Sequence, residues 1–315
     1  MTPWLLSMLG LVILLMAGDA LVRGAVNLSL RLGVPALIVS LTIVAFGTSA
    51  PELLIAISAI QDNAPGIALG NVVGSNTANI LLVLGIPAMM TTLHTSECDS
   101  RKTYVFMIAA SVVFIALAFC GTFTLGSGLI LLALLGLVLF DMMREARAHR
   151  RCGVPDGIVD IDEADPDMPY WRVGLYLLLG LIGLPLGAHL LVENASLIAQ
   201  EYGVSDTVIG LTLVAVGTSL PELATTVMAA RRRQADVALG NVIGSNMFNL
   251  LAIVGIATFF GDIPVDPEFL RMDLWVMLGA SLLLIPFVFF HVNMTRIWGI
   301  ALTALYAVYI IAILI

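Results

Sequence analysis

Charge is scarce in this chain. Asp, Glu, Lys and Arg make up 11% of its 315 residues, against roughly a quarter in a soluble domain. Hydrophobic residues reach 60% and the mean hydropathy is +1.04, which excludes an ordinary water-soluble fold. Cysteine is scarcer still. Cys98, Cys120 and Cys152 are odd in number and follow no metal-binding or redox spacing, so all three read as free thiols. Catalytic signatures are missing too: there is no paired-aspartate motif of the GxGD type, no GxSG with a partnered histidine and no HExxH. The chain is therefore expected not to be an enzyme, to carry no cofactor and to bind no nucleic acid. No obligate protein partner is evident.

Long apolar sequence is abundant. Runs of about 20 residues, the length that crosses a bilayer, recur from end to end. Five lie near 3–22, 36–60, 66–92, 103–121 and 125–143, and five more near 171–192, 206–230, 236–261, 270–290 and 296–315. The opening run has no basic segment before it and no cleavage signal, so it reads as a first span rather than a signal peptide. A polar linker at 144–170 divides the chain into 1–143 and 171–315. Asp156, Asp160, Asp162, Glu163, Asp165 and Asp167, with Glu145 nearby, are seven of the 22 acidic residues and account for much of the net charge of −8. Their spacing lacks the order and central glycine of an EF-hand, so the segment reads as a solvated acidic loop. The fold class expected is an all-α membrane protein of ten transmembrane helices, embedded in the lipid bilayer of the cell membrane.

Basic residues test that topology. With the N-terminus outside, inward-facing segments hold Arg23, Arg31, Arg101, Lys102, Arg144, Arg147, Arg150, Arg151, Arg172, Arg231, Arg232, Arg233 and Arg296, and outward-facing segments hold only Arg271. Thirteen of the 14 basic residues fall on one side, as the positive-inside rule requires. A missed span would scramble this separation. Both termini are thus expected outside and the linker in the cytoplasm.

The chain also repeats itself. Residues 41–53 read LTIVAFGTSAPEL and residues 211–223 read LTLVAVGTSLPEL; residues 68–79 read ALGNVVGSNTAN and residues 238–249 read ALGNVIGSNMFN. Both pairs are offset by 170, and nine of the twelve positions in the second pair are identical. The shared residues are mostly polar, Gly or Pro, which hydrophobic bias does not produce. Five spans per copy is odd, so the second copy enters from the opposite side. Two inverted repeats with a site between them near the midplane is an architecture of secondary transporters.

Glu52 and Glu222 each fall mid-span. An ionised carboxylate there costs at least about 2–3 kcal/mol, and neither repeat offers a Lys or Arg in the same span at comparable depth. A single such residue is accommodated as a protonated, hydrogen-bonded carboxyl. Two in matching contexts point instead to a partner that comes and goes, a cation. Thr48 and Ser49 precede Glu52 by four and three residues, which places them on one helical face, and Thr218 and Ser219 repeat this before Glu222. Pro51 and Pro221 lack the N–H that would engage the carbonyls of Gly47 and Gly217. This predicts broken helices with backbone oxygens turned to a ligand, including those of Ala45 and Ala215. Carboxylate, hydroxyl and carbonyl oxygens suit hard cations such as calcium. Ser75 and Asn79 are four apart, as are Ser245 and Asn249, and Asn71, Asn76, Asn241 and Asn246 add polarity to apolar spans. Helix–helix bonding is the plain alternative for the serines and threonines. Packing or helix-break support is the preferred reading for Asn76 and Asn246, and the paired glycines allow close helix approach. Asp19 and His189, at equivalent repeat positions, read as interface or snorkelling residues.

At these motifs the sequence resembles the cation/calcium exchanger superfamily, in its bacterial sodium/calcium exchanger-like branch. GTSAPEL and GTSLPEL look like the core of that family's two alpha-repeats, and GNVVGSN and GNVIGSN like their second halves. The resemblance implies that Glu52 and Glu222 bind calcium or share sodium ions. It further implies that Thr48, Ser49, Thr218, Ser219, Ala45 and Ala215 supply hydroxyl and carbonyl ligands, that Ser75 and Ser245 coordinate sodium, and that Asn79 and Asn249 close the site. Asn249 stands where potassium-dependent members carry Asp, which argues against potassium dependence. The implied function is antiport of sodium and calcium ions by alternating access, electrogenic if three sodium ions move per calcium. Spans 1 and 6 are the candidate movers. Calcium/proton exchange is the first alternative, since buried carboxylates also take protons, and a cation channel the second.

Overall fold

The computed structural model describes residues 2–152, 165, 167–203 and 215–314, and almost all of them are helical. In chain order the helices are α1 (Thr2–Leu32), α2 (Ala36–Thr48), α3 (Ala50–Gln61), α4 (Pro65–Met90), α5 (Arg101–Ala118), α6 (Leu125–Cys152), α7 (Tyr170–Glu201), α8 (Ala215–Gly217), α9 (Leu220–Arg231), α10 (Ala235–Ala257), α11 (Phe269–Phe289) and α12 (Arg296–Leu314). Seven are long and apolar enough to cross a membrane, and α2 with α3, bent by 41°, form an eighth such unit. The chain is an all-α, multi-pass membrane protein. Residues 153–164 and 166 of the predicted linker, with Asp156, Asp160, Asp162 and Glu163, and the start of the seventh expected span lie outside the described residues.

Several helices outrun the apolar stretches that announce them. The sequence places spans at 3–22 and 171–192, whereas α1 runs to Leu32 and α7 to Glu201. The two pack antiparallel along their length through small residues. A methyl group on Gly10 would meet the Leu191 amide nitrogen at 2.6 Å, and one on Gly187 the Leu14 nitrogen at 2.7 Å. That mutual support extends both helices past the lipid-facing segment. At 31 and 32 residues they reach about 46–48 Å, well beyond a hydrocarbon core of about 30 Å. Helix α6 likewise runs through Cys152 where a linker from 144 is predicted, because the intervening Arg, Glu and Ala are good helix formers. The linker's far end returns to α1, where the Asp165 amide donates to Asn27 Oδ1 at 3.0 Å.

The repeat is visible in the backbone. Every described residue with positive φ has a twin 170 positions away: Gly33 with Gly203, Asn63 with Arg233, and Gly121 with His291. Gly33 and Gly203 end α1 and α7, each using the left-handed conformation open to glycine. Short extended pairings recur as well, Leu93 with Met294 and Phe123 with Ile263. Helices α4 and α10 both widen into π-helical turns, at Asn79–Val83 and Phe248–Ile253, a distortion concentrated at functional sites. Helix α10 is buried from Val237 to Gly255 at the centre of the molecule.

Candidate ion site

The site is built from two helix breaks. In the first repeat the chain leaves helical geometry at Ser49 (φ −85°, ψ 3°) and restarts as α3, with Pro51 in its first turn; in the second it does so at Ser219 (φ −88°, ψ 4°) before α9, with Pro221. Proline is tolerated in a first turn, where its missing N–H has no carbonyl to serve, and disfavours the helical bond to the residue four back. Glu52 and Glu222 therefore each occupy the first turn of a half-helix, where the positive end of the helix dipole favours a carboxylate. The break also revises the expectation that Thr48, Ser49 and Glu52 share one helical face. Thr48 is the last residue of α2, and its hydroxyl lies 3.4 Å from Asn241 Oδ1 and 3.5 Å from Ser245 Oγ, on α10. Ser49 donates to Glu222 Oε1 at 3.4 Å.

Both carboxylates are 1% exposed, and the two half-helices meet where Ser49, three residues before Glu52, donates to Glu222. Among the described residues no lysine or arginine pairs with either. Glu52 Oε2 and Glu222 Oε2 accept no hydrogen bond, and neither do Asn79 Oδ1, Asn249 Oδ1 and Ser219 Oγ. Five buried, unpartnered oxygens from both repeats are costly in a protein interior. A cation ligated by such oxygens removes that cost. The set is not a cluster of strong metal ligands: among the described residues no three His, Cys, Asp or Glu side chains come together. It holds two charges and otherwise neutral oxygens.

The asparagines organise this set. Asn76 Nδ2 donates to Asn246 O, and Asn246 Nδ2 to Asn76 O, both at 3.3 Å. Asn79 Nδ2 donates to Asn246 Oδ1, and Asn249 Nδ2 to Asn76 Oδ1, both at 3.0 Å. Each bond maps onto its fellow when the repeats are exchanged. Asn76 and Asn246 are thus bonded to each other's backbone and to the side chains of Asn249 and Asn79. They take the NH₂ groups of Asn79 and Asn249 and leave those side-chain oxygens unpaired. Asn71 and Asn241 clamp the half-helices, donating to the backbone oxygens of Glu52 at 3.4 Å and Glu222 at 3.3 Å. That clamp is missed at the sequence level; its one signal is the 19-residue spacing from Glu to Asn in both repeats.

The remaining expected residues divide. Ser75 and Ser245 are buried on α4 and α10. Thr218 is only half-buried, unlike Thr48. The Ala45 carbonyl already accepts from Ser49 N at 3.0 Å and Thr48 Oγ1 at 3.3 Å, so it meets an ion only if the Thr48 hydroxyl turns away. Ala215 opens α8. Asp19, read as an interface or snorkelling residue, pairs with Arg23 and Arg232. His189 is exposed beside Glu193.

A polytopic helical membrane protein with an oxygen-lined interior site is the class that fold and site define. The profile of the sodium/calcium exchanger protein family matches residues 2–143 and 173–315, and the chain belongs to that family. It is a cation exchanger by that membership. It is 32% identical to the sodium/calcium exchanger MaX1 of Methanosarcina acetivorans, with 98% of each chain covered. It is 33% identical to the inner membrane protein YrbG of Escherichia coli, with 88% of this chain and 86% of that one covered. Among solved structures it is similar to the sodium-calcium exchanger NCX_Mj soaked with 10 mM Na⁺ and 10 mM Sr²⁺, at TM-score 0.79 and 32% identity, with 98% and 97% coverage.

Proposed function

We propose that the chain is a secondary antiporter, not an enzyme, that exchanges sodium for calcium by alternating access. One observation carries the reading: two buried carboxylates on twin half-helices, with no fixed positive partner among the described residues and with unpartnered oxygens from both repeats around them. Calcium, or a set of sodium ions, is the substrate that completes them. Glu52 and Glu222 supply charge. Thr48, Ser49, Thr218, Ser219, Ser75, Ser245, Asn79 and Asn249 supply neutral oxygens, with the carbonyls of Ala45 and Ala215. Without an ion the two carboxylates are uncompensated in low dielectric, which disfavours the passage of the empty site from one side to the other. Coupling follows from that penalty.

The topology belongs to the same reading. Ten spans arise when the apolar stretch before Ala215 completes the seventh, and five spans per repeat make the repeats inverted. The reciprocal asparagine bonds support a two-fold relation. The arginine distribution supports termini outside and a cytoplasmic linker.

The test is calcium uptake into sodium-loaded proteoliposomes. Wild type is expected to take up calcium only against a sodium gradient, and Glu52→Gln and Glu222→Gln to lose about 100-fold or more. Uptake driven by a pH gradient without sodium would replace sodium with protons in this scheme. Normal exchange by either variant would end the site assignment.

A further inference from the structure

Glycine 18 of α1 lies against α9: a methyl group there would meet Ala224 O at 3.0 Å. One residue on, Asp19 ties the same two helices together. Its Oδ1 accepts from Arg232 Nε and Nη2, both at 2.7 Å, just past the end of α9. Its Oδ2 accepts from Arg23 Nε at 2.9 Å, one turn along α1. The three side chains are only 18–30% exposed, so the ion pair is partly removed from water, where it is worth more than a surface pair.

The twin positions differ in charge and in state. Asp19, Arg23 and Arg232 correspond to His189, Glu193 and Asp62, so acid stands for base and base for acid. No bond crosses between helices there among the described residues. His189 Nε2 sits 3.5 Å from Glu193 Oε2 on its own helix, with the side chains 76% and 60% exposed, and Asp62 accepts from Ser58 on its own helix. The packing agrees. Ala224 is 3% exposed beneath α1, whereas its twin Leu54 on α3 is 68% exposed. The α1–α7 pair therefore leans on α9 at the arginine-bearing end and leaves α3 uncovered at the other.

We infer that Asp19 and Arg232 are positioning residues of the transport cycle. Their ion pair fastens the α1–α7 pair against α9 and biases the protein toward the state closed on the arginine-bearing side. The inference rests on the alternating-access reading, in which that side is cytoplasmic. Any movement of α1 off α9 has to separate Asp19 from Arg232, so the pair's strength enters directly into the balance of the two states. A ligand's apparent affinity from one side scales with the population of the state open to that side. Weakening the tie must then lower apparent calcium affinity at the outer face and raise it at the cytoplasmic face.

The experiment measures half-saturating calcium for exchange separately at each face, in oriented proteoliposomes of wild type, Asp19→Asn, Arg232→Gln and the double variant. A shift of roughly threefold to tenfold is expected, in opposite directions at the two faces, and the double variant should match either single one. Arg232→Lys keeps the charge but loses the two-donor grip. It should shift both faces the same way as Arg232→Gln by less, which covers the case in which the neutral variants fold poorly. A residue that merely supports the fold would weaken both faces together. Unchanged affinities, or parallel shifts, overturn the inference. Failure of wild type to couple calcium to sodium would instead sink the function on which it rests.

Discussion

The two repeats carry nearly the same polar residues and do not use them alike. In the first, Thr48 reaches Asn241 and Ser245 on α10, and Ser49 donates to Glu222. In the second, the Ser219 hydroxyl has no partner and Thr218 is half-buried. The asparagine bonds between α4 and α10, by contrast, are the same in both directions to within 0.1 Å. The asymmetry thus resides in the half-helices and in what covers them, while the centre on which they converge is two-fold. On the alternating-access proposal, a symmetric hub flanked by one covered and one uncovered half-helix lets the repeats exchange roles in a second arrangement of comparable energy.

The sharpest way to break this comparison is at the hub. Asn76→Ala and Asn246→Ala each free one ligand amide from its holder. Both are expected to raise half-saturating calcium about 10- to 100-fold, and by similar factors, as loss of supporting contacts to metal ligands does elsewhere. Markedly unequal effects in the exchange assay would mean the hub is not two-fold in function. Smaller effects should separate the covered from the uncovered half-helix. Ala224→Leu gives α9 the side chain of its twin and forces it against Gly18, at a cost of about 1–3 kcal/mol. Leu54→Ala, the reverse exchange on α3, should cost under about 0.5 kcal/mol. Thermal unfolding of the two purified variants compares them directly. Smallest is the serine pair. Ser49→Ala removes a hydroxyl bonded to a carboxylate and should weaken calcium binding severalfold with little gain in stability. Ser219→Ala removes an unpartnered buried hydroxyl, so the ion-free protein should melt slightly higher while calcium binding still falls. Identical behaviour of the two serine variants would remove the asymmetry.

Much of this is legible in the sequence. Apolar runs fix the helices, and the 170-residue repeat fixes the twin positions down to the backbone conformations of Gly33 and Gly203. Pro51 and Pro221 announce the breaks. The unread parts are those set by tertiary packing. The lengths of α1 and α7 follow from their contact with each other rather than from hydropathy. The π turns at Asn79 and Phe248 have no compositional sign, and they alter where a residue four positions on will point. The pairing of Asp19 with Arg232 is unread because the two lie 213 positions apart. The reach of Thr48 toward α10 follows from the bend at Ser49, which helical spacing alone does not convey.

Joint ligation of one calcium by Glu52 and Glu222 is tested most directly by equilibrium calcium binding to the purified protein in sodium-free buffer. Wild type should bind one calcium per chain, displaced by sodium. Glu52→Gln, Glu222→Gln and the double variant should all lose that binding to a similar degree, because either carboxylate alone leaves the site incomplete. Two independent calcium sites, each abolished by only one substitution, would contradict the account.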